Sequence, residues 1–219
     1  MIFRIKLTRV LALLALTTFV GAGSARAATI DFQTGVASFG GTITNVGSFW
    51  YGTGIPLDLM NVVGVSATAD GSYDLSGTGS YSNFSGTFTN CCAVLNFDSE
   101  LNTISVVGGV PTLSVPDGTT LLQGTITSFT PTVGGGFFGA LATGVDWKSP
   151  LLLTQLGLDP NTQFEFFGFT IALQTSTQPN TYTAISTDIV NQSIPEPGLL
   201  ALFGLGLLGV GHRLARRRA

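Results

Sequence analysis

The sequence predicts an all-β domain, an antiparallel β-sandwich that is jelly-roll-like in its many short strands. Apolar and polar residues alternate in segments such as Gly41–Thr44 and Thr103–Val107, which is the two-residue period of a half-buried strand. The 219 residues include 29 glycines, and glycine turns between short strands favour a sandwich. Hydrophobic residues make up 44% of the chain and charged residues only 10%. The chain can therefore build a core.

Local patterns predict the individual elements. The strongest strand pattern runs from Phe164 to Leu173, where a change of parity at Phe166–Phe167 predicts a β-bulge. Only Pro150–Leu158 is predicted to be helical within the domain, because proline suits a first helical turn. A last strand is predicted over Tyr182–Val190. Three glycine–aromatic repeats predict a short meander of hairpins with the aromatic rings on the core side, at Gly71–Tyr73, Gly79–Tyr81 and Gly86–Phe88.

The charges are segregated along the chain. Eight of the nine cations lie in the first 27 or the last seven residues, which leaves Lys148 alone between them. All twelve acids lie between Asp31 and Glu196, so the stretch Ala28–Pro197 has a formal charge of −11 and contains no arginine or histidine. Such a surface repels phosphate backbones, which proteins bind through lysine and arginine. We therefore expect no nucleic-acid partner.

The first 27 residues have the three parts of a secretory signal peptide. A basic region, Met1–Arg9, precedes an apolar run, Val10–Val20, that is too short to span a bilayer as a helix. The segment ends in Ala25-Arg26-Ala27, a small-residue cleavage pattern. Cleavage after Ala27 would leave Ala28 as the mature N-terminus. We therefore expect the acidic β-rich ectodomain over residues 28–193 to cross the inner membrane.

The C-terminal residues 194–219 predict a second membrane signal. Pro195-Glu196-Pro197 interrupts regular structure and is followed by an uncharged run from Gly198 to Gly211. That run predicts a hydrophobic transmembrane helix, short for a full bilayer span. A basic cluster follows and should stay cytoplasmic, as the basic N-terminal region should. The cluster consists of Arg213, Arg216, Arg217 and Arg218.

This tail resembles the PEP-CTERM sorting signal of exopolysaccharide-producing Gram-negative bacteria. The resemblance rests on the triplet Pro195-Glu196-Pro197, the apolar segment directly after it and the terminal arginines. It implies that a membrane enzyme of the exosortase type recognises and processes the tail. It also implies that the protein is membrane-anchored before processing and lies at the cell surface or outside the cell afterwards, often within the polysaccharide matrix.

The ectodomain lacks the residues of most catalytic sites. Without histidine or arginine it has no imidazole base and no zinc-binding imidazole. Asp98 and Glu100 would share one strand face and could act as a glycosidase carboxylate pair, although two solvated acids at a strand end are the simpler interpretation. Calcium is an optional cofactor, because acidic Asp-Gly turns could offer oxygen ligands. Its weak candidate ligands are Asp70, Asp74 and Asp117.

Two further features leave alternatives open. Cys91 and Cys92 are the only cysteines, and they could form a strained vicinal disulfide or be two small strand residues. The aromatic segment Phe49–Tyr51 and Trp147 could stack on sugar rings, with core packing as the default.

Three functions compete on this basis. The leading hypothesis is a non-enzymatic surface or matrix protein associated with exopolysaccharide. The second is a lectin-like carbohydrate-binding module, and the third is a polysaccharide-acting enzyme that uses carboxylates. A solvent-exposed aromatic platform beside acidic loops would favour the second hypothesis over the first, and a deep cleft with two facing carboxylates would favour the third.

Overall fold

The description of the fold rests on a computed structural model of the chain. It describes residues 27–34, 40–83, 85–134 and 137–193, with the side chains of 133, 134, 137–142 and 165–167 left aside. Residues Ala27–Ile194 form one compact unit. The predicted signal peptide apart from Ala27, the predicted hydrophobic helix over Gly198–Gly211 and the basic cluster lie outside the described residues.

Twelve antiparallel strands and two short helical segments make up the described residues. The strands are β1 Thr29–Gln33, β2 Gly40–Val46, β3 Phe49–Leu57, β4 Leu59–Val63, β5 Gly71–Asp74, β6 Gly79–Asn83, β7 Gly86–Asp98, β8 Thr103–Val110, β9 Val115–Gly134, β10 Phe137–Lys148, β11 Phe164–Thr175 and β12 Thr181–Ser193. A 3-10 helix spans Pro111–Leu113, and the α-helix α1 spans Pro150–Gln155.

Eight of the strands form a closed circuit of hydrogen-bonded neighbours. Strands β7, β8, β9, β10 and β11 pair in sequence order, and β11 pairs with β12. The other edge of β12 pairs with β2 near its start and with β1 near its end. Strand β2 then returns through β3 to β7, while β1 continues through β4 to β5. The last strand is therefore the junction of the domain.

Aromatic rings from opposite parts of the circuit fill the core. Phe97 of β7 contacts Phe129 of β9 and Phe169 of β11, with ring centroids 5.7 and 5.3 Å apart. The ring of Phe97 packs directly against Gly52. A Cβ atom at position 52 would lie only 2.1 Å from Cε1 of Phe97. Glycine at position 52 is thus required by a close approach, since any side chain there would displace the central ring.

The helix α1 begins and ends where its sequence indicates. Ser149 is the N-cap, and its Oγ accepts the N–H of Leu152 at 3.4 Å. Pro150 occupies the first turn, where its missing N–H costs nothing. Gly157 follows the helix with a φ of 77°, a conformation that glycine adopts without strain. The predicted helix is confirmed, although it ends at Gln155 rather than Leu158.

The predicted antiparallel all-β class is confirmed, and the topology adds detail. The pairings form one continuous 12-stranded network, so the separation into the two sheets of a sandwich stays a prediction. A register shift between Phe164 and Phe166 confirms the bulge in β11, shortly before its predicted position. The last strand extends to Ser193, beyond the predicted end at Val190.

The predicted meander of hairpins is wrong in its pairing, and its aromatic rings lie on the core side only at Tyr73. Strand β5 pairs with β4 rather than with β6, so only β6 and β7 form a hairpin of the expected kind. In that hairpin Tyr81 and Phe88 stack on each other, with centroids 5.0 Å apart, and Phe88 is 40% exposed. These two rings pack on each other, and neither belongs to the core cluster that they were expected to join.

Candidate functional site

The predicted carboxylate pair, Asp98 and Glu100, lies at the turn between β7 and β8 and forms hydrogen bonds there. Asp98 Oδ1 accepts the backbone N–H groups of Glu100 and Leu101 at 2.8 and 2.9 Å. Glu100 Oε2 accepts the hydroxyl of Tyr51 at 2.5 Å. This hydrogen bond, more than burial or charge, raises the pKa of Tyr51 to about 12. Both acids therefore have partners that hold a strand end in place.

The three calcium candidates have separate roles. Asp70 accepts the N–H groups of Gly64, Val65 and Ser66 at 2.8 to 3.1 Å, which holds its own loop. Asp117 accepts the hydroxyl of Ser76, and Asp74 lies opposite Leu59 at the end of β5. Among the described residues, no three His, Cys, Asp or Glu side chains come together as a metal site. The sequence predicted no cofactor, and calcium stays an untested alternative.

Cys91 and Cys92 are bonded to each other. The bond joins adjacent residues of β7, next to the point where β7 leaves its pairing with β6. Cys92 is fully buried and Cys91 partly so. The structure thus shows the vicinal disulfide, one of the two alternatives that the sequence left open.

A buried ion pair went unrecognised in the sequence. Lys148, the one cation of residues 28–193, is 2% exposed and pairs with Asp146 two residues earlier on β10. Its Nζ lies 4.6 Å from the ring centroid of Phe164, a favourable cation–π arrangement. Asp146 faces Gly124 of β9, where a Cβ would come within 2.9 Å of the Asp146 Cβ. The missing side chain of Gly124 leaves room for the acid.

Burial governs the titration of this pair. Burial lowers the pKa of Lys148 to about 8, against the attraction of Asp146, and it raises the pKa of Asp146 against the attraction of Lys148. Asp146 Oδ1 has no hydrogen-bond partner among the described residues. The ion pair with Lys148 therefore offsets the free-energy cost of burying the Asp146 carboxylate. Since Lys148 is buried, the surface of residues 28–193 presents no lysine or arginine.

A second carboxylate pair, also missed, lies between β1 and β12. Asp31 is hydrogen-bonded to Asp188 and to Asn61 of β4, which stands directly opposite it. Burial, with the hydrogen bond to Asp188 and its negative charge as smaller causes, raises the pKa of Asp31 to about 7. The negative charge of Asp188 therefore favours the protonated form of Asp31.

The raised pKa of Asp31 predicts a pH-dependent stability. Asp31 binds its proton more tightly in the folded state, where its pKa is about 7, than at the ordinary value of 3.8. The stabilisation is complete below the lower value and is lost as the pH rises towards the higher one. We expect urea unfolding at pH 5 and pH 8 to show the native protein less stable at pH 8. Asp31→Asn should recover roughly 1 kcal/mol there, allowing for solvent screening.

The exposed Asp74 provides the control for this prediction. Asp74→Asn removes one carboxylate from β5 without touching the pair, so it should leave the pH dependence of the native protein unchanged. An Asp31→Asn variant that loses stability between pH 5 and pH 8 as the native protein does would contradict the raised pKa of Asp31.

The outer face of β7 to β10 carries an exposed tryptophan at one end of a polar row. Trp147 is 55% exposed, whereas its neighbours Asp146 and Lys148 point inward. Three polar residues continue the row across the neighbouring strands, each directly opposite the one before it. They are Gln123 of β9, Ser105 of β8 and Asn96 of β7. These four residues are called the Trp147 row. With neighbouring strands about 4.8 Å apart, the row is about 14 Å long.

The Trp147 row is uncharged and held in place by its sheet. Gln123 is exposed, and Ser105 and Asn96 are half-buried. Asn96 Oδ1 accepts the N–H of Gly54 at 3.0 Å, which fixes the orientation of its amide. The next row across the same strands consists of Val145, Thr125, Thr103 and Asp98. The exposed indole thus has amide and hydroxyl groups along its own row and the exposed Val145 beside it in the next row.

The other predicted aromatic segment belongs mainly to the core. Trp50 is only 7% exposed and contacts Tyr182, with centroids 5.6 Å apart. Tyr51 is half-buried and donates to Glu100, and Phe49 at the start of β3 is partly exposed. Of the two tryptophans, therefore, only Trp147 offers its ring to a ligand.

The two ends of the ectodomain meet at the junction of β1 and β12. Ala28 N donates to Ser193 Oγ at 2.8 Å, and Ser193 N donates to Ala28 O at 2.8 Å. Ala27 and Ala28 are the described part of the predicted signal cleavage site, whereas Ala25 lies outside the described residues. The predicted mature N-terminus is thus hydrogen-bonded to the last residue of the last strand.

Residues 193–218 match the model of the PEP-CTERM protein-sorting motif. The match begins at Ser193, the end of β12, and includes Pro195, Glu196, Pro197 and the arginines, all of which except Ser193 lie outside the described residues. The chain is therefore an exported protein with a sorting signal for an exosortase-type enzyme. No curated protein and no solved structure matches the chain.

The described residues contain no helix of the length and apolarity that a membrane crossing requires.

Proposed function

We propose that this protein is a non-enzymatic component of the cell surface or extracellular matrix that associates with exopolysaccharide after its sorting tail has been processed. The observation that carries the proposal is the sorting motif over residues 193–218, which begins where the last strand of the ectodomain ends. The C-terminal tail then serves as the sorting signal, and the acidic β-domain is the part that remains after processing.

The chemistry of the ectodomain supports a non-enzymatic role. Residues 28–193 contain no histidine and no arginine, and their one lysine is buried in an ion pair. The predicted acids Asp98 and Glu100 are engaged by a turn and by Tyr51. A glycosidase needs two carboxyl groups that face a substrate across a gap, and neither predicted acid is placed in that way.

The hydrogen bonds between Ala28 and Ser193 support processing at both ends. Through them the predicted mature N-terminus, Ala28, is bonded to Ser193, at which the sorting motif begins. The two predicted membrane signals precede and follow these two bonded residues in the sequence. Removal of the two segments leaves the strand pairing intact, because β1 and β12 are held by their own ladder.

The test is to replace Pro195, Glu196 and Pro197 by alanine in a host that has an exosortase. We expect the native protein in the extracellular polysaccharide fraction at reduced mass, and the variant in the membrane fraction at higher mass. A variant with Asp159 and Pro160 replaced is the control, since it removes an exposed acid–proline pair from the loop after α1 and should be sorted normally. Native and triplet variant proteins with the same mass and location would refute the proposal.

A further inference from the structure

We propose that the Trp147 row is a binding site for a neutral polysaccharide, with the indole stacked on one sugar ring and the polar members contacting the sugars that follow. The inference rests on the proposed association with exopolysaccharide and names the surface and ligand class responsible. The lectin-like hypothesis required an exposed aromatic platform beside acidic loops, and Trp147 supplies an exposed ring.

The first step is the position of the indole. The side chains of Asp146 and Lys148 occupy the inner face of β10, so the alternation of the strand turns Trp147 outward. An outward tryptophan adds nothing to the core and leaves a large apolar ring in water, which is unfavourable. Stacking a sugar ring on it buries apolar surface on both partners and leaves the sugar hydroxyl groups free to form hydrogen bonds.

The second step is the composition of the row. Gln123, Ser105 and Asn96 follow Trp147 on successive strands, and their side chains can donate and accept hydrogen bonds. Sugar hydroxyl groups also do both. An anchor for another protein would more often be surrounded by apolar side chains, whereas this ring has amide and hydroxyl side chains along its row and one exposed apolar neighbour, Val145. The length of about 14 Å suits several linked sugars rather than one.

The third step is charge. Residues 28–193 have eleven acids and one lysine, and that lysine is buried. An anionic polysaccharide or an anionic lipid headgroup would meet no lysine or arginine side chain on this surface and would be repelled by its field. Asp98 lies in the row beside the Trp147 row, which adds to the repulsion locally. The ligand class consistent with these charges is a neutral polysaccharide.

The experiment measures binding of the processed protein, recovered from outside the cell, to three neutral polysaccharides (dextran, galactomannan and mixed-linkage glucan) and to anionic alginate. Isothermal titration calorimetry gives the affinity of each variant, and a change in the tryptophan emission of the native protein reports on Trp147, because Trp50 is buried. We expect binding to at least one neutral polymer and none to alginate. Trp147→Ala should weaken it about tenfold, and Trp147→Phe should weaken it less because a ring remains.

Phe88→Ala is the matched control, because Phe88 is also a partly exposed ring but lies on the β6–β7 hairpin away from the row. It should bind as the native protein does, and thermal unfolding should show that the Trp147 variants are folded. Equal affinity of Trp147→Ala and native protein would overturn the inference. So would alginate binding, binding to no neutral polymer, or a change of oligomeric state in Trp147→Ala that identifies the row as a self-association surface.

The two proposals fail in distinguishable ways. If native protein and Trp147→Ala both accumulate in the polysaccharide fraction of the culture, the site is wrong and the proposed function stands. If the native protein is absent from that fraction, the proposed function itself is wrong.

Discussion

Replacing Lys148 by methionine is expected to lower the free energy of unfolding by about 3 to 5 kcal/mol, because the change leaves a buried carboxylate without its partner. Asp146 is 3% exposed, and its Oδ1 atom has no hydrogen-bond partner among the described residues. In the variant the acid must take up a proton to remain buried, so the loss should grow as the pH rises. Urea unfolding at pH 5 and pH 8 measures both effects.

The double variant Asp146→Leu/Lys148→Met separates the ion pair from simple packing. Replacing both charges by apolar groups removes the cost of burying them, so stability should return to within about 1 kcal/mol of the native protein or exceed it. The missing Cβ of Gly124 leaves the space that a leucine at position 146 would use. If the double variant is as unstable as Lys148→Met, the single loss comes from the lysine stem and its ring contacts rather than from an unpaired charge.

Replacing Phe97 by alanine is expected to cost about 3 to 5 kcal/mol, since the change leaves a cavity at the centre of the core. The ring of Phe97 contacts both Phe129 and Phe169 and lies over Gly52. These residues come from β3, β7, β9 and β11, so the cavity would loosen opposite parts of the strand circuit at once. Thermal or urea unfolding of the purified protein measures the loss.

Phe49→Ala is the control for the core prediction. Phe49 is a phenylalanine on β3 that is 39% exposed, so its truncation should cost less than about 1 kcal/mol. Equal destabilisation by the two substitutions would show that the ring at position 97 is not the centre of the core.

The sequence was sufficient for features that depend on neighbouring residues. The helix after Ser149 follows from a cap and a proline, and the bulge in β11 follows from a change of parity. The sequence did not predict which strands pair with each other, because pairing depends on residues far apart in the chain. Asp31 and Asp188 lie near opposite ends of the ectodomain and meet only because β1 pairs with β12.

Trp147 and its neighbours show a second limit of prediction from the sequence. Alternation in Asp146-Trp147-Lys148 defines two faces of a strand but does not say which face is inside. Charged residues usually point outward, and that default would bury the tryptophan. The structure has the opposite arrangement because Asp146 and Lys148 neutralise each other and Gly124 leaves them room. The isolation of Lys148 among twelve acids was the one signal in the sequence that could have pointed to this pair.

The most direct measurement is the intact mass of the protein recovered from outside a host that has an exosortase. We predict one species that begins at Ala28 and lacks the basic cluster at Arg213, Arg216, Arg217 and Arg218. Recovery of the full 219-residue chain from the cytosol, with the leader and the terminal arginines still attached and no membrane-bound form, would contradict export and sorting.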